Sequence, residues 1–314
     1  MSRTATLVGV VLALAAGCTA KSGSANGGGA SGRGGASAGG RIDGALALAF
    51  VDSQLAFGPR VPNTPGHQRA GDWLAAQLGA RADTVIVQAW RHTTRGGTTL
   101  ALRNFFARFR PDQADRVLFV AHWDTRPHAD RDADPANQRL PVPGANDGAS
   151  GVAVLLAMAD ALKHRPPGLG VDLLLVDGED WGTDFSDSTE TLLGSWHFAA
   201  TKPVGYAPLF AVVFDMVGDR DLQLYYEGNS HAFAPEVVQR VWRTAESLSY
   251  GGVFIAGVRH TLTDDHIPLQ RVGIHAIDVI DFDYPYWHTV ADTRDKVSAE
   301  SLEIVGNVGL ALVR

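Results

Sequence analysis

Acidic and imidazole side chains recur in six short motifs of this chain: His122-Trp123-Asp124, Asn146-Asp147-Gly148, Asp177-Gly178-Glu179-Asp180, Phe214-Asp215, Asp264-Asp265-His266 and Trp287-His288-Thr289. Carboxylate oxygen and imidazole nitrogen are donors that hold zinc, and a catalytic zinc site leaves one position open for substrate or water. The single cysteine is Cys18, near the N-terminus, so a thiolate site is excluded. The pattern is that of a zinc enzyme.

Separate motifs make one site only if the elements carrying them converge. Residues 116–121, 171–176 and 208–214 are short apolar runs that read as buried strands, stopping at His122, Asp177 and Asp215. Residues 84–90 and 100–109 read as a hairpin across a polar, Gly-containing turn, and 222–226 and 274–280 as further strands. Helical apolar spacing marks 44–57, 67–78, 235–247 and 299–313, with Thr64-Pro65 opening the second. A strongly apolar helix begins at Asn146-Asp147-Gly148. This alternation predicts an α/β fold with a mixed, mostly parallel central sheet and helices on both faces. In such sheets ligands bind beyond the carboxyl ends of the strands, which would gather the motifs at one edge.

Each motif also has a plainer reading. On an extended segment residues two apart share a face, so Asp124 can stand behind His122 and fix its tautomer; a polar surface loop would look the same. Asp147, taken alone, reads as a helix cap worth about 1 kcal/mol. Glu179 and Asp180 are more telling, because adjacent acids past a buried strand repel each other unless a cation or proton is present. Metal chemistry uses such a pair by letting one ligate while the other shuttles protons. Asp264-Asp265-His266 reads equally as a helix start with Ile267 and Leu269 in the core. Of the seven tryptophans, Trp123, Trp181 and Trp287 adjoin the motifs and are candidate walls of a substrate pocket. Residues 128–144, with Asp130, Asp132 and Asp134, suit a lid, a metal-binding loop or a solvated surface.

The ends and the composition set the context. Residues 1–17 carry Arg3 and an apolar stretch too short to span a bilayer, the mark of an export signal. Cys18 is the expected lipidation position, and residues 18–40, dominated by Gly, Ser and Ala, the expected tether. Residues 41–314 then form a zinc-dependent catalytic domain, exported to the bacterial cell envelope and touching the membrane only through the lipid. With a formal charge of −7 and no Lys/Arg run, nucleic acid is not an expected partner.

Taken together, the chain resembles the glutaminyl-peptide cyclotransferases (glutaminyl cyclases) in their bacterial form, which share a fold with the zinc aminopeptidases. The resemblance runs from Phe57-Gly58-Pro59-Arg60 to the C-terminal helix. It is carried by Ala121-His122-Trp123-Asp124-Thr125-Arg126-Pro127, the glycine-rich stretch around Asn146-Asp147-Gly148, Asp177-Gly178-Glu179-Asp180, Asp264-Asp265-His266-Ile267-Pro268 and Trp287-His288-Thr289. It implies Asp147, Asp180 and His288 as ligands of one zinc and Glu179 as general acid/base. Asp215 and Asp264 would form a hydrogen-bond network beside the metal, and Trp287 would line the pocket. The activity implied is closure of an N-terminal Gln of a peptide or protein to pyroglutamate, with release of ammonia.

The rival is an aminopeptidase that removes N-terminal residues with two zincs, the second held by His122 and Asp215. Two features favour the cyclase: the related aminopeptidases typically carry Ser where Asp264 stands and usually lack Trp before the final His. One departure weakens the distinction, since Asp180 replaces the Glu typical of animal cyclases.

Overall fold

The computed structural model describes residues 40–314. The expected export segment 1–17, the expected lipidation position Cys18 and all but the last residue of the expected 18–40 tether lie outside the described residues. Among the described residues no helix is long and apolar enough to cross a membrane.

Two capped helices open the domain. Asp43 accepts the N–H groups of Ala45 and Leu46 to start α1 (Gly44–Leu55), and Thr64 accepts that of His67 to start α2 (Pro65–Gly79), with Pro65 in the first turn. The expected hairpin follows as β1 (Thr84–Thr93) and β2 (Thr99–Phe109), paired antiparallel. Then come β3 (Arg116–His122), α3 (Ala149–His164), β4 (Gly170–Val176), α4 (Leu193–Thr201) and β5 (Phe210–Asp215). The remainder is β6 (Leu224–Glu227), α5 (Gly228–Phe233), α6 (Pro235–Ser247), β7 (Phe254–His260), α7 (His266–Arg271), β8 (Ala276–Ile280) and α8 (Ala299–Ala311).

Six strands form the central sheet in the order β1-β2-β4-β3-β5-β8. β4, β3, β5 and β8 run parallel, while β2 is antiparallel to both its neighbours. The fold is therefore α/β with a mixed, mostly parallel sheet. The continuous apolar runs of the sequence are explained by burial on both faces. In β3, Val117, Phe119 and Ala121 join the large core with α1, α2, α3, α6 and α8, whereas Leu118 and Val120 join Phe198 of α4 and Leu269 of α7 on the other face.

β7, α4 and the short α5 escape the sequence reading. β7 buries only Phe254, because it pairs with β6 alone in a separate two-stranded sheet. α4 starts from Leu192 in the left-handed region, with no side-chain cap to announce it.

Candidate active site

Parallel strands deliver their C-terminal ends to one edge, and the acidic motifs sit there. His122 ends β3, Asp177 follows β4 and Asp215 ends β5. The remaining groups come from loops at the same edge. Asp147 precedes α3, but it does not cap that helix: Gly148 holds the cap position at φ +92°, and no side chain caps there. A Cβ at Gly148 would stand 2.5 Å from the Asp124 carbonyl, so the turn requires glycine. Asp147 is left free to face the cleft, while its N–H and that of Asn146 donate to Asp292 at 3.1 and 2.9 Å. Tyr284 donates its hydroxyl to Asp292 at 2.7 Å. Burial, then Asp147, pushes Asp292 up to about 7.

Asp124 does more than stand behind an imidazole. Its two oxygens accept the backbone N–H groups of Glu179 and Asp180 at 3.1 and 3.2 Å, fixing the peptide that carries both acids. Its distance to His122 Nδ1 is 3.7 Å.

Two groups of donors result, and Asp147 belongs to both. One is Asp147, Asp180 and His288; the other is His122, Asp147 and Asp215; in each, the donor atoms lie within 4.8 Å of one another. His288 Nε2 is 3.3 Å from Asp180 Oδ1 and 3.6 Å from Asp147 Oδ2. His122 Nε2 is 3.1 Å from Asp215 Oδ1 and 3.2 Å from Asp147 Oδ1. Asp180 Oδ2 is buried without a hydrogen-bond partner. An orphaned buried carboxylate oxygen among converging carboxylate and imidazole donors is what a cation would satisfy, and the donor set suits zinc.

Protons fill the rest of the balance. Burial, then the charges of Asp180, Asp264 and Asp265, holds Glu179 well above the usual carboxylate range, against the pull of His122. Burial and the neighbouring Asp264 and Asp147 push Asp215 up to about 7. For His122, burial opposes the charge, but Glu179 and Asp215 outweigh it and hold the imidazolium well above its ordinary value.

Asp147, Glu179, Asp215, Asp264 and His288 line a cleft of about 290 Å³. Trp287 forms one wall, stacked on His288 at 3.9 Å and packed on Phe282 at 4.9 Å. The other two candidate tryptophans are not walls. Trp123 is fully buried, stacked on His67 at 4.3 Å and donating Nε1–H to the Arg103 carbonyl. Trp181 packs beside Trp90 on Leu100, Leu102 and Leu193, away from the cleft lining. Phe185 and Phe282 take the apolar role instead. Neither adjoins a ligand motif closely enough to have been singled out.

Sequence reasoning also missed Arg126, which is buried against Asp180 at 2.5 Å. Residues 128–144 are a brace. The N–H of Arg131 donates to the His288 carbonyl at 3.2 Å, and Asp132 Oδ2 accepts the N–H of Val290 at 3.1 Å. His288 itself has φ +56°, an unusual conformation for a non-glycine that this brace holds in place.

The same architecture occurs in solved structures. A glutaminyl cyclase from Bacteroides thetaiotaomicron, bound to N-acetylhistamine, superposes with a TM-score of 0.84 at 37% identity over 87% of this chain and 98% of that one. A Zn-dependent exopeptidase from Parabacteroides distasonis gives 0.84 at 36% identity, again over 87% and 98%. Among curated sequences, aminopeptidase YwaD of Bacillus subtilis is 27% identical over 216 residues, which are 63% of this chain and 40% of that protein. The chain spans only about a third to a half of the length of the first curated relatives it matches. Residues 104–313, two thirds of the sequence, match the profile of peptidase family M28, and the chain belongs to that family.

Proposed function

We propose that this protein is a zinc-dependent glutaminyl-peptide cyclotransferase acting on peptide or protein N-termini that begin with Gln. One zinc would be held by Asp147, Asp180 and His288. The observation that carries this reading is the place of Asp264, which lines one cleft with Asp215, Glu179 and Trp287. A cyclisation needs such a proton-holding network more than it needs a second metal.

In the reaction the α-amine attacks the γ-amide carbon of the same residue, a C–N bond forms, and the amide nitrogen leaves as ammonia. Because the attack is intramolecular, the cleft chiefly fixes a folded conformer, with Trp287 and Phe282 closing on the side chain. Bound zinc would supply Lewis-acid polarisation of the amide carbonyl. Glu179 takes the proton lost by the amine and returns it to the leaving nitrogen. Asp215 and Asp264 orient that proton path.

The aminopeptidase reading keeps one specific support: His122, Asp147 and Asp215 converge as closely as the first donor group. Export, lipidation at Cys18 and residence in the cell envelope belong to the same proposal. They rest on the sequence of residues 1–40 alone.

The test is incubation of the purified protein with a Gln-initiated peptide, followed by mass spectrometry with and without a chelator. The expected product is the intact peptide less one ammonia, formed only without chelator. Loss of the whole first residue would make the protein an aminopeptidase.

A further inference from the structure

We propose that Arg126 is a positioning residue that locks two zinc donors into one geometry, Asp180 directly and His288 through Asp130. The inference rests on Asp147, Asp180 and His288 being the zinc donors. Arg126 is 3% exposed, and its guanidinium reaches two acids at once. Nη1 donates to Asp180 Oδ1 at 2.5 Å and to the Gly182 carbonyl at 2.8 Å. Nε and Nη2 donate to the two oxygens of Asp130 at 2.6 and 3.1 Å.

Asp130 Oδ1 in turn lies 3.7 Å from His288 Nδ1, the ring nitrogen turned away from the donor group, which has no hydrogen-bond partner of its own. Hydrogen bonds therefore link Asp180, Arg126 and Asp130, and the last step to His288 is an electrostatic contact at 3.7 Å. It is continued by the backbone bond from Arg131 to the His288 carbonyl.

Only a planar fork can make these contacts together. Lysine keeps the charge but offers a single ammonium, which can satisfy Asp180 or Asp130 but not hold both in a fixed relation. Arg126 also occupies Asp180 Oδ1, while Oδ2 stays unpartnered and available. Partners behind the ligands of a metal site typically alter metal affinity 10- to 100-fold when removed.

The experiment strips metal from the full chain, then measures zinc affinity by competition with a chromophoric chelator and records the visible spectrum of the cobalt(II)-substituted protein. Arg126→Lys is expected to weaken zinc binding about 10- to 100-fold and to alter the intensity and position of the cobalt bands. The melting temperature of the metal-free protein should stay close to that of the parent. A purely structural role would lower that temperature and leave the cobalt spectrum alone.

Zinc affinity within about threefold of the parent, with an unchanged cobalt spectrum, overturns the proposal. Should Arg126→Lys not fold, Asp130→Asn preserves shape and carries the test through His288. It is expected to weaken zinc about tenfold, and unchanged affinity again overturns the proposal. If the parent chain itself takes up no zinc, the donor assignment fails and this inference with it.

Discussion

The two ends of the cleft use the same side-chain types in opposite electrostatic settings. At the Asp180–His288 end a buried arginine stands against a carboxylate, and a backbone brace fixes the imidazole. At the Asp215–Asp264 end, among the described residues, no arginine or lysine bonds the acids, and His122 is the only cation in contact. The acids there answer by taking up protons. Burial first, then their mutual repulsion, moves Asp215 to about 7 and Asp265 and Asp278 well above the usual range. One end balances its acids with a buried guanidinium, the other with protons.

The sharpest way to break that contrast is to remove the carboxylate shared by both donor groups, Asp147, and compare it with one that belongs to a single group, Asp215. Asp147→Asn should lose bound zinc and at least about 10³-fold in turnover, because no full donor set survives. Asp215→Asn should keep zinc while losing roughly 10²-fold in kcat, as expected of a proton-handling group. Metal analysis of both variants decides. Zinc falling from two equivalents to one in Asp215→Asn would mean that both ends hold metal.

Glu179 stands between the two ends, its Oε2 3.6 Å from His122 Nδ1. Replacing it with Gln keeps the shape and removes the titrating group. Turnover in Glu179→Gln should fall by about 10²- to 10⁴-fold with zinc content unchanged. Normal activity in that variant would take Glu179 out of the reaction.

The sequence revealed the Asp215 end more readily than the brace at the Asp180–His288 end. His122, Asp177 and Asp215 could be read because each ends an apolar run, and strand ends of a parallel sheet share an edge. Trp123 illustrates the limit. Successive residues of an extended chain point to opposite sides, so with His122 turned toward Asp147 and Asp215 its neighbour turns to the core, where it meets His67. Trp287 escapes that rule because His288 lies in a turn with positive φ, and both rings reach the cleft. Arg126 was hidden for another reason. An arginine in a loop rich in Asp and Pro reads as solvated, and only the packing of a distant segment against Asp180 buries it. Asp147 likewise looked like a cap until the backbone of Gly148 placed the helix start one residue later.

Glu227 provides the finest test of the contrast, because it lies on the acid side yet behaves in the opposite way. It ends β6 and binds the segment that carries Asp264. Oε1 accepts the N–H groups of Asn229 and Leu262 at 2.8 and 2.9 Å, and Oε2 accepts those of Ser230, backbone and hydroxyl, at 2.6 and 2.7 Å. His266 Nε2 stands 3.2 Å away. Burial alone would raise Glu227, but His266 and these donors outweigh it and bring the carboxyl from its ordinary 4.5 down to about 2. A folded-state value below the unfolded one means that the carboxylate stabilises the fold above pH 4.5, and that this contribution fades as pH falls toward 2. Glu227→Gln should therefore destabilise the metal-free protein by about 2–3 kcal/mol near neutrality, with the gap narrowing steadily below pH 4.5. Urea unfolding of parent and variant across that range measures it. A gap that does not change with pH would show that Glu227 works through the shape of its hydrogen bonds, and that charge on the acid side is held by protons throughout.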